Sequence, residues 1–157
     1  MAIRQVTANT SMDDEAARAQ SLADEVSKAL YANDAAIRAL GITVDSIGPG
    51  RARLVMQVRA DMINGAGIAH GGIITTLADA AFAFACNSYN KVTLASGITV
   101  DFLTPAKRDD ILTATATEVS RSGRSGIYDV VVANQHGQPV AVLRGRCRQM
   151  RERCIVG

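Results

Sequence analysis

The hydrophobic pattern changes in character at the centre of the chain, where a helix-length run is apolar nearly all round. From Ile73 to Cys86 the polar side chains are Thr75, Thr76 and Asp79. A helix with this pattern has no solvent face, so it must lie in a core or in a subunit interface. The pattern therefore predicts a long central helix that the rest of the chain, or a second copy, covers.

Strand patterns flank this helix on both sides. Before it, residues 42–47 and 51–59 are joined by a Gly-Pro-Gly turn, and the second segment alternates apolar residues with arginine and glutamine. After it, four further segments carry strand-like sequences separated by turn residues: 92–103, 110–120, 127–134 and 140–150. Because an antiparallel sheet must cover its apolar face, we predict an α+β fold in which the sheet wraps around the central helix.

The first forty residues predict a helix ahead of the sheet. Ser11 and Asp14 resemble a capping box, and an apolar stripe at helical spacing follows them. Asn33 is the predicted cap of a short helical turn over residues 34–40, which Gly41 ends.

Length and composition indicate one compact domain with a real core. The chain has 157 residues, of which 48% are hydrophobic and 20% charged. We expect a flexible N-terminus over 1–10, a single domain over 11–150 and a C-terminal tail over 151–157. The formal net charge of +2, the 4% of aromatic residues and the absence of Trp argue against nucleic-acid binding.

Cysteine usage and the N-terminus bear on metals and location. The three cysteines, Cys86, Cys147 and Cys154, and the two histidines lack the spacing of a zinc site or a disulfide framework, so we expect no metal. The N-terminus is acidic around residue 14 and does not resemble a secretory signal. The longest apolar run is too short to span a bilayer, so we expect a cytoplasmic protein with no membrane partner.

One carboxylate marks the central helix as a candidate site. A buried, unpartnered carboxylate is costly, and an acid kept in such a place has a perturbed pKa. Gly71, Thr75 and Asp79 are spaced i, i+4, i+8 and lie on one helix face. Gly71 and Gly72 leave the first amides of the helix unobstructed, which suits the oxygen of a polarised carbonyl. The alternative is that Asp79 pairs with an arginine in an interface and that His70 is only a capping residue.

These residues resemble a known family, the hotdog-fold acyl-CoA thioesterases, in the branch associated with phenylacetate degradation and often called PaaI. The resemblance spans residues 31–148. The segments that carry it are YANDAAIRALGI, NGAGIAHGGIITTLADAAFAFACNS, ITVDFLTPA, GIYDVVV and VAVLRGRCR. It implies a hotdog fold, a thioester hydrolase and an active site built between two subunits of a dimer, with two dimers commonly forming a tetramer.

The resemblance also implies roles for particular residues. Asp79 is the catalytic carboxylate, acting as nucleophile or as general base on water. Gly71 donates its backbone N–H to the thioester oxygen, Asn64 and His70 help hold that carbonyl, and Asn33 completes the pocket or orients water. No cofactor is required, because coenzyme A is part of the substrate.

The substrate expected from the resemblance is an aryl-acetyl-CoA of the phenylacetyl or hydroxyphenylacetyl type. Alanines make the central helix slim, which would leave room for an aryl group beside the thioester: Ala80, Ala81, Ala83 and Ala85. Loop residues with cationic or flexible character are candidates for the coenzyme A phosphates: Lys107, Arg121, Ser122, Gly123 and Arg124. The alternative is that these cations are ordinary solvated loop charges.

Two other functions fit the same pattern. A hotdog dehydratase or hydratase needs an acid and a histidine that converge on the substrate, and His70 at the helix mouth is compatible with that. A non-catalytic acyl-CoA sensor would keep the pocket but would have no need of Asp79. The fold alone does not separate these activities.

Overall fold

The structure, a computed structural model, describes residues 2–151 and 153–157, and for residues 2–11 it describes the backbone alone. Three α-helices and six strands follow one another in the described part of the chain, with a 3₁₀ turn over Ala60–Met62 between the second strand and the third helix. In chain order they are α1 Ala2–Asn33, α2 Ala35–Ala39, β1 Thr43–Gly48, β2 Arg51–Gln57, α3 Gly71–Asn87, β3 Thr93–Phe102, β4 Ile111–Ser122, β5 Ser125–Ala133 and β6 Pro139–Gln149. All six strands lie within two residues of their predicted bounds. The predicted antiparallel sheet around one central apolar helix is confirmed.

The start of the N-terminal helix differs from the prediction. Helix α1 begins at Ala2, so Ser11 and Asp14 lie inside it. Serine and aspartate cost little at exposed positions within a helix, and a capping-box pattern therefore does not by itself fix where a helix starts. The flexible segment expected over residues 1–10 stays a prediction, since residue 1 and the side chains up to residue 11 lie outside the described part.

Asp34, and not Asn33, caps the short helix α2. The Oδ1 atom of Asp34 accepts hydrogen bonds from the amides of Ala36 and Ile37, both at 3.1 Å. Helix α1 continues through Asn33, whose side-chain amide donates to the carbonyl of Ala29 at 2.9 Å. The cap needs an extended backbone, which Asp34 has and a residue inside a helix does not.

The sheet is antiparallel throughout and has the order β1-β2-β4-β5-β6-β3. Pairing registers shift in β1, β3 and β4, at residues 44–46, 95–97 and 118–120. Such bulges increase the local twist of a strand, which helps a sheet to curve around a helix. Strand β3 forms one edge of the sheet, and its described residues pair with β6 alone.

Small residues let α3 lie close to the sheet. Phe82 of α3 packs on Tyr128 of β5, with ring centroids 5.7 Å apart and a 55° tilt between the planes. On β6, Gly145 lies so close that a Cβ atom there would be 2.8 Å from the Phe82 ring. Ala81 and Ala85 are completely buried in the same contact. The alanines of α3 therefore bring the helix onto the sheet.

The opposite side of α3 is not covered by its own chain. Four of the half-buried or exposed positions of the helix recur at helical spacing: Gly72, Thr76, Asp79 and Ala83. These four are small or polar, whereas the sheet-facing side carries Leu77, Phe82 and Phe84. This open face of a mostly apolar helix is available for contact with another molecule.

The C-terminal residues fold back along the chain. The side chain of Asn90 accepts hydrogen bonds from the amides of Ile155 and Val156 at 2.9 Å and donates to the carbonyl of Val156 at 3.0 Å.

None of the helices in the described part of the chain is long and apolar enough to cross a membrane.

Gly145→Ala tests the close approach of helix and sheet. The added Cβ must displace the buried Phe82 ring, so we expect the free energy of unfolding to fall by about 1–3 kcal/mol, the usual cost of overpacking a core. Denaturant titration measures the change. Gly65→Ala is the control, because no atom lies within 4 Å of its added Cβ, and it should change stability by less than about 0.5 kcal/mol. Equal effects of both substitutions would contradict the packing argument.

Candidate active site

The start of α3 leaves one backbone donor free. His70 caps the helix: its Nδ1 accepts a hydrogen bond from the amide of Gly72 at 3.1 Å. The amides of Ile73 and Ile74 donate to the carbonyl of His70 at 2.9 and 3.2 Å. Of the first four amides of the helix, only that of Gly71 has no acceptor among the described residues. This N–H lies at the positive end of the helix dipole, where a carbonyl oxygen or an oxyanion is favoured.

The cap also assigns the tautomer of His70. Because Nδ1 accepts a hydrogen bond from a backbone N–H, it carries no proton, and the proton of the neutral ring lies on Nε2. The imidazole is exposed. His70 therefore has the capping role that was one of its two sequence interpretations, and its Nε2–H stays available as a second donor at the helix mouth.

A cavity of about 370 Å³ opens beside Gly71. Its walls are mainly apolar and come from the loop before α3, the first turn of α3 and the segment after β3: Asn64, Ile68, Ala69, Gly71, Ile74, Phe102, Leu103, Thr104, Pro105 and Ala106. A hydrogen bond of 2.8 Å from the amide of Ala69 to the carbonyl of Ala106 holds two of these segments together.

Asn64 lines this cavity, and the oxygen of its side-chain amide already accepts hydrogen bonds from the backbone. Its Oδ1 accepts hydrogen bonds from the amides of Ala66 at 2.9 Å and Ile68 at 3.3 Å, which fixes the turn before α3. The Nδ2 group has no acceptor among the described residues. The oxygen is structural and the NH₂ group is a free donor, consistent with the predicted role of Asn64 as a carbonyl ligand.

Asp79 lies half-buried on the open face of α3. Burial raises the pKa of its carboxyl, and no charged or hydrogen-bonding group in the described part of the chain offsets that shift. Thr75, one turn earlier, does not serve it, because the Thr75 hydroxyl donates to the carbonyl of Gly71 at 2.8 Å. Within the described residues, the arginine partner of the alternative interpretation is absent from this chain.

One chain does not bring all predicted catalytic residues together. Asp79 lies eight residues after Gly71, or roughly 12 Å along the helix axis at 1.5 Å per residue. Gly71, His70 and Asn64 meet at the start of α3, whereas the Asp79 carboxylate lies two turns further on. Asn33 is exposed at the end of α1 and is not among the residues that line the cavity.

The candidate phosphate ligands fall into two separate groups. Lys107 follows Ala106 directly and so lies next to the cavity. Arg121 and Arg124 line a small crevice near the other end of α3, with Gly123 between them. The ends of α3 are about 24 Å apart, given its rise per residue. One chain therefore does not form a single cradle from all of them.

The crevice group already makes contacts of its own. The guanidinium carbon of Arg121 lies 3.8 Å from the centre of the Tyr89 ring. The Nε atom of Arg121 lies 3.6 Å from the Oε2 atom of Glu118. Gly123, with a φ of +56°, and Arg124 form the two-residue turn between β4 and β5, next to the pair Ser122 and Ser125. Glycine at the first central position fits a type II′ hairpin turn.

The structure adds Phe102 to the candidate site. It ends β3 and its ring lies directly over Gly71. The strand pattern contained a signal for it, since Ile98, Val100 and Phe102 alternate on one face of β3. That face points toward α3. Ile98 pairs with Gly145, which lies against the Phe82 ring of α3, and Phe102 pairs with the buried Ala141.

Comparison with known proteins identifies the family. The family model described as "Thioesterase superfamily" matches residues 66–141. The acyl-coenzyme A thioesterase PaaI of Escherichia coli (strain K12) is 43% identical over 122 residues, which cover 78% of this chain and 87% of that protein. The chain belongs to the thioesterase superfamily. It has the hotdog fold of that family and is a thioester hydrolase.

Solved structures agree with this assignment. The structure of the E. coli PaaI protein matches with a TM-score of 0.82 and 41% identity, covering 83% of this chain and 95% of that one. A mutant of the phenylacetic acid degradation protein PaaI from Thermus thermophilus has a TM-score of 0.72 and 35% identity, with 74% and 100% covered. The smu.793 protein of Streptococcus mutans UA159, bound to acetyl CoA, has a TM-score of 0.69 and 25% identity, with 71% and 90% covered. The family favours a thioesterase over the hydratase and the sensor.

Asp79→Asn tests whether this carboxylate is unpaired in the folded thioesterase. Since burial raises its pKa in the folded state, the folded protein binds more protons than the unfolded chain as Asp79 ionises. The free energy of unfolding should therefore fall as pH rises from below 3.8, the ordinary pKa, through the raised folded value. The asparagine variant should lack this fall and be more stable at pH 7 by less than about 1 kcal/mol, because solvent screens a half-exposed charge.

Denaturant unfolding between pH 3 and 8, at one protein concentration for both proteins, measures this difference. If Asp79 were instead an ion-pair partner in an interface, the asparagine variant would be the less stable protein at pH 7.

Proposed function

We propose that this thioesterase hydrolyses aryl-acetyl-CoA esters, of the phenylacetyl or hydroxyphenylacetyl type, to the free acid and coenzyme A. The observation that carries the proposal is the unused amide of Gly71, which lies at the positive end of α3 beside an apolar cavity. A thioester carbonyl bound there would have its oxygen on the helix terminus and its acyl group among apolar side chains. The relatives named as acyl-CoA thioesterase and as an acetyl CoA complex support the coenzyme A ester.

The site is formed by two subunits. The distance of roughly 12 Å between Gly71 and Asp79 along the helix is too long for one carbonyl group to contact both residues of the same chain. A two-fold axis that crosses α3 near Thr75 would set Gly71 of one subunit against Asp79 of the other. Each dimer then holds two equal sites, and the open face of each α3 is covered by its partner.

The exposed surface of β3 supports this assembly. β3 is an edge strand, and two of its large apolar side chains outside the cavity are exposed: Leu94 and Ile98. A free strand edge with apolar side chains is a surface on which a second chain can add. A dimer contact along β3 and α3 would cover it, and two dimers can join as a tetramer.

Asp79 supplies the oxygen chemistry. As a general base, the carboxylate takes a proton from water while the water oxygen attacks the carbonyl carbon. As a nucleophile, it attacks the carbon itself and forms an anhydride, which water then hydrolyses. In both routes the C–S bond breaks, coenzyme A leaves as a thiolate that takes a proton, and the acid remains.

Donors at the start of α3 stabilise the negative oxygen that forms in the transition state. The Gly71 amide is the first, and the Asn64 Nδ2 and His70 Nε2–H groups add to it. Because these donors are fixed by the cap and by the turn before the helix, they need little reorganisation when charge develops. Asn33 joins the site across the subunit contact, where its exposed position leaves it free to orient water.

The walls of the cavity favour an aryl group. Ile68, Ile74 and Leu103 with the ring of Phe102 provide flat and branched apolar surfaces. The space for an aryl group lies in this cavity and not, as the sequence predicted, beside the alanines of α3, because Ala80, Ala81 and Ala85 are buried in the chain's own core.

The coenzyme A phosphates have two sources of positive charge. Lys107 lies beside the cavity of its own subunit. In the two-fold dimer the C-terminal end of the partner's α3 extends about 12 Å beyond Gly71, and this end carries the hairpin with Arg121 and Arg124. An extended coenzyme A can therefore reach both groups.

We assign this activity to the cytoplasm. The three cysteines of the chain are free, with Cys86 and Cys147 in the core and Cys154 at the surface. Free thiols of this kind are usual in a reducing compartment.

Asp79→Asn and the choice of acyl group test the reaction together. The amide keeps the size of the carboxylate but removes its basicity, so turnover of phenylacetyl-CoA should fall by about a hundredfold or more. The wild type should have a higher kcat/KM for phenylacetyl-CoA than for palmitoyl-CoA. Thiol release from each ester measures both quantities.

Asp45→Asn is the matched control, because Asp45 lies on β1 outside the site and is ion-paired with Arg53 of β2. It should keep wild-type turnover. Near wild-type turnover of Asp79→Asn would end the proposed chemistry, and a preference for palmitoyl-CoA would end the aryl-acetyl assignment.

Mixed dimers test whether the site is shared. Gly71→Pro removes the amide proton at the first helical position, where proline is tolerated, and Asp79→Asn removes the base. Each variant alone should be inactive, but after joint refolding half of the dimers carry one intact site of two, so about a quarter of wild-type activity should return.

Gly65→Ala adds a Cβ that meets no atom within 4 Å, so this variant should retain turnover and serves as the control. Light scattering should show a dimer or a tetramer for every variant. A stable, active monomer, or no regained activity in the mixture, would contradict the shared site.

A further inference from the structure

The ring of Phe102 rests on Gly71 at van der Waals distance. A Cβ atom added to Gly71 would lie 2.9 Å from the Phe102 Cζ atom and 3.3 and 3.4 Å from its two Cε atoms. Three ring atoms therefore occupy the space that any other side chain at position 71 would need. The contact joins the last residue of β3 to the first residue of α3, the two elements that meet at the cavity.

The remainder of this ring is exposed. Phe102 keeps 54% of its surface accessible to solvent and Leu103 keeps 55%, although both line the apolar cavity. The tip of the ring lies on Gly71, which lines the same cavity and whose amide has no acceptor in the described part of the chain.

We infer that Phe102 is a specificity-determining residue that selects flat aromatic acyl groups by stacking against them while their carbonyl oxygen lies on the Gly71 amide. This inference rests on the proposed function and deepens it. The ring is placed by its contact with Gly71, so the same glycine supplies the amide and sets the position of the aromatic wall. A side chain at position 71 would push the ring away from the amide.

Stacked or edge-to-face aromatic pairs contribute beyond the area they bury. The inference therefore concerns the choice between aromatic and saturated rings of similar shape, and not the overall rate. Phenylacetyl-CoA and cyclohexylacetyl-CoA form such a pair, since both carry a six-membered ring on the same acetyl group.

The experiment measures the ratio of kcat/KM for phenylacetyl-CoA to that for cyclohexylacetyl-CoA. Phe102→Leu keeps an apolar side chain but removes the π face, and it should lower the ratio about three- to tenfold. Gly71→Ala should lower it by a similar factor because it displaces the ring. The double variant should show no further loss, since both changes remove the same contact.

Two controls separate this effect from general damage. Val119→Ala changes a side chain with the same 54% exposure on β4, and Gly72→Ala adds a Cβ that meets only the His70 ring, at 3.4 Å or more. Both should keep the wild-type ratio. Equal losses on both esters in Phe102→Leu, or independent losses that multiply in the double variant, would overturn the inference.

The same data distinguish failure of the inference from failure of the proposed function. A wild type that prefers phenylacetyl-CoA to palmitoyl-CoA, but whose ring selectivity survives Phe102→Leu, keeps the function and loses the inference. A wild type that hydrolyses neither ring ester overturns both.

Discussion

The contact between α3 and the sheet determines where everything else in this thioesterase lies. Phe82 packs on Tyr128 and against the bare backbone of Gly145, and completely buried alanines bring the helix axis close to the strands. This contact uses the large side chains of α3 on one side. The other side carries mainly small and polar residues, among them the one acid of the helix. The open face that carries Asp79 is therefore a consequence of how the core is packed.

This difference between the two sides of α3 explains how the helix can carry Asp79, although burying an unpaired carboxylate costs free energy. On the sheet side an unpaired carboxylate would face only hydrocarbon, whereas on the open side it keeps partial access to water, and burial raises its pKa. A carboxylate in this state is a stronger base than a solvated aspartate. A partner subunit on the same face would exclude more water and raise the pKa further.

Patterns among neighbouring residues predicted the helices and strands well. The candidate site combines residues that are far apart in sequence, and the sequence did not fully predict which of them lie together. Strand β2 shows the first case, because Ala52, Leu54 and Met56 are buried while Arg51 and Arg53 are exposed, as their alternation requires. For the cap of α2 the prediction was wrong by one residue, since Asn33 and Asp34 are both good capping residues and only the end of α1 decides between them. The residues predicted to hold the phosphates were grouped as loop cations. Whether Lys107 and Arg121 lie at the same end of α3 depends on the whole sheet order, which one sequence does not contain.

The start of α3 shows how a helix cap can leave one backbone donor free. A histidine cap bonds to the amide two positions on, and the next two amides turn back to its carbonyl, so the first amide is left over. With any side chain at position 71, Cβ would meet the Phe102 ring. With glycine, the ring lies over the backbone and the amide stays open to the cavity. The His-Gly-Gly sequence is therefore needed as a unit: histidine satisfies the second amide, the first glycine frees its own, and the aromatic ring at the end of β3 fills the space that the glycine leaves.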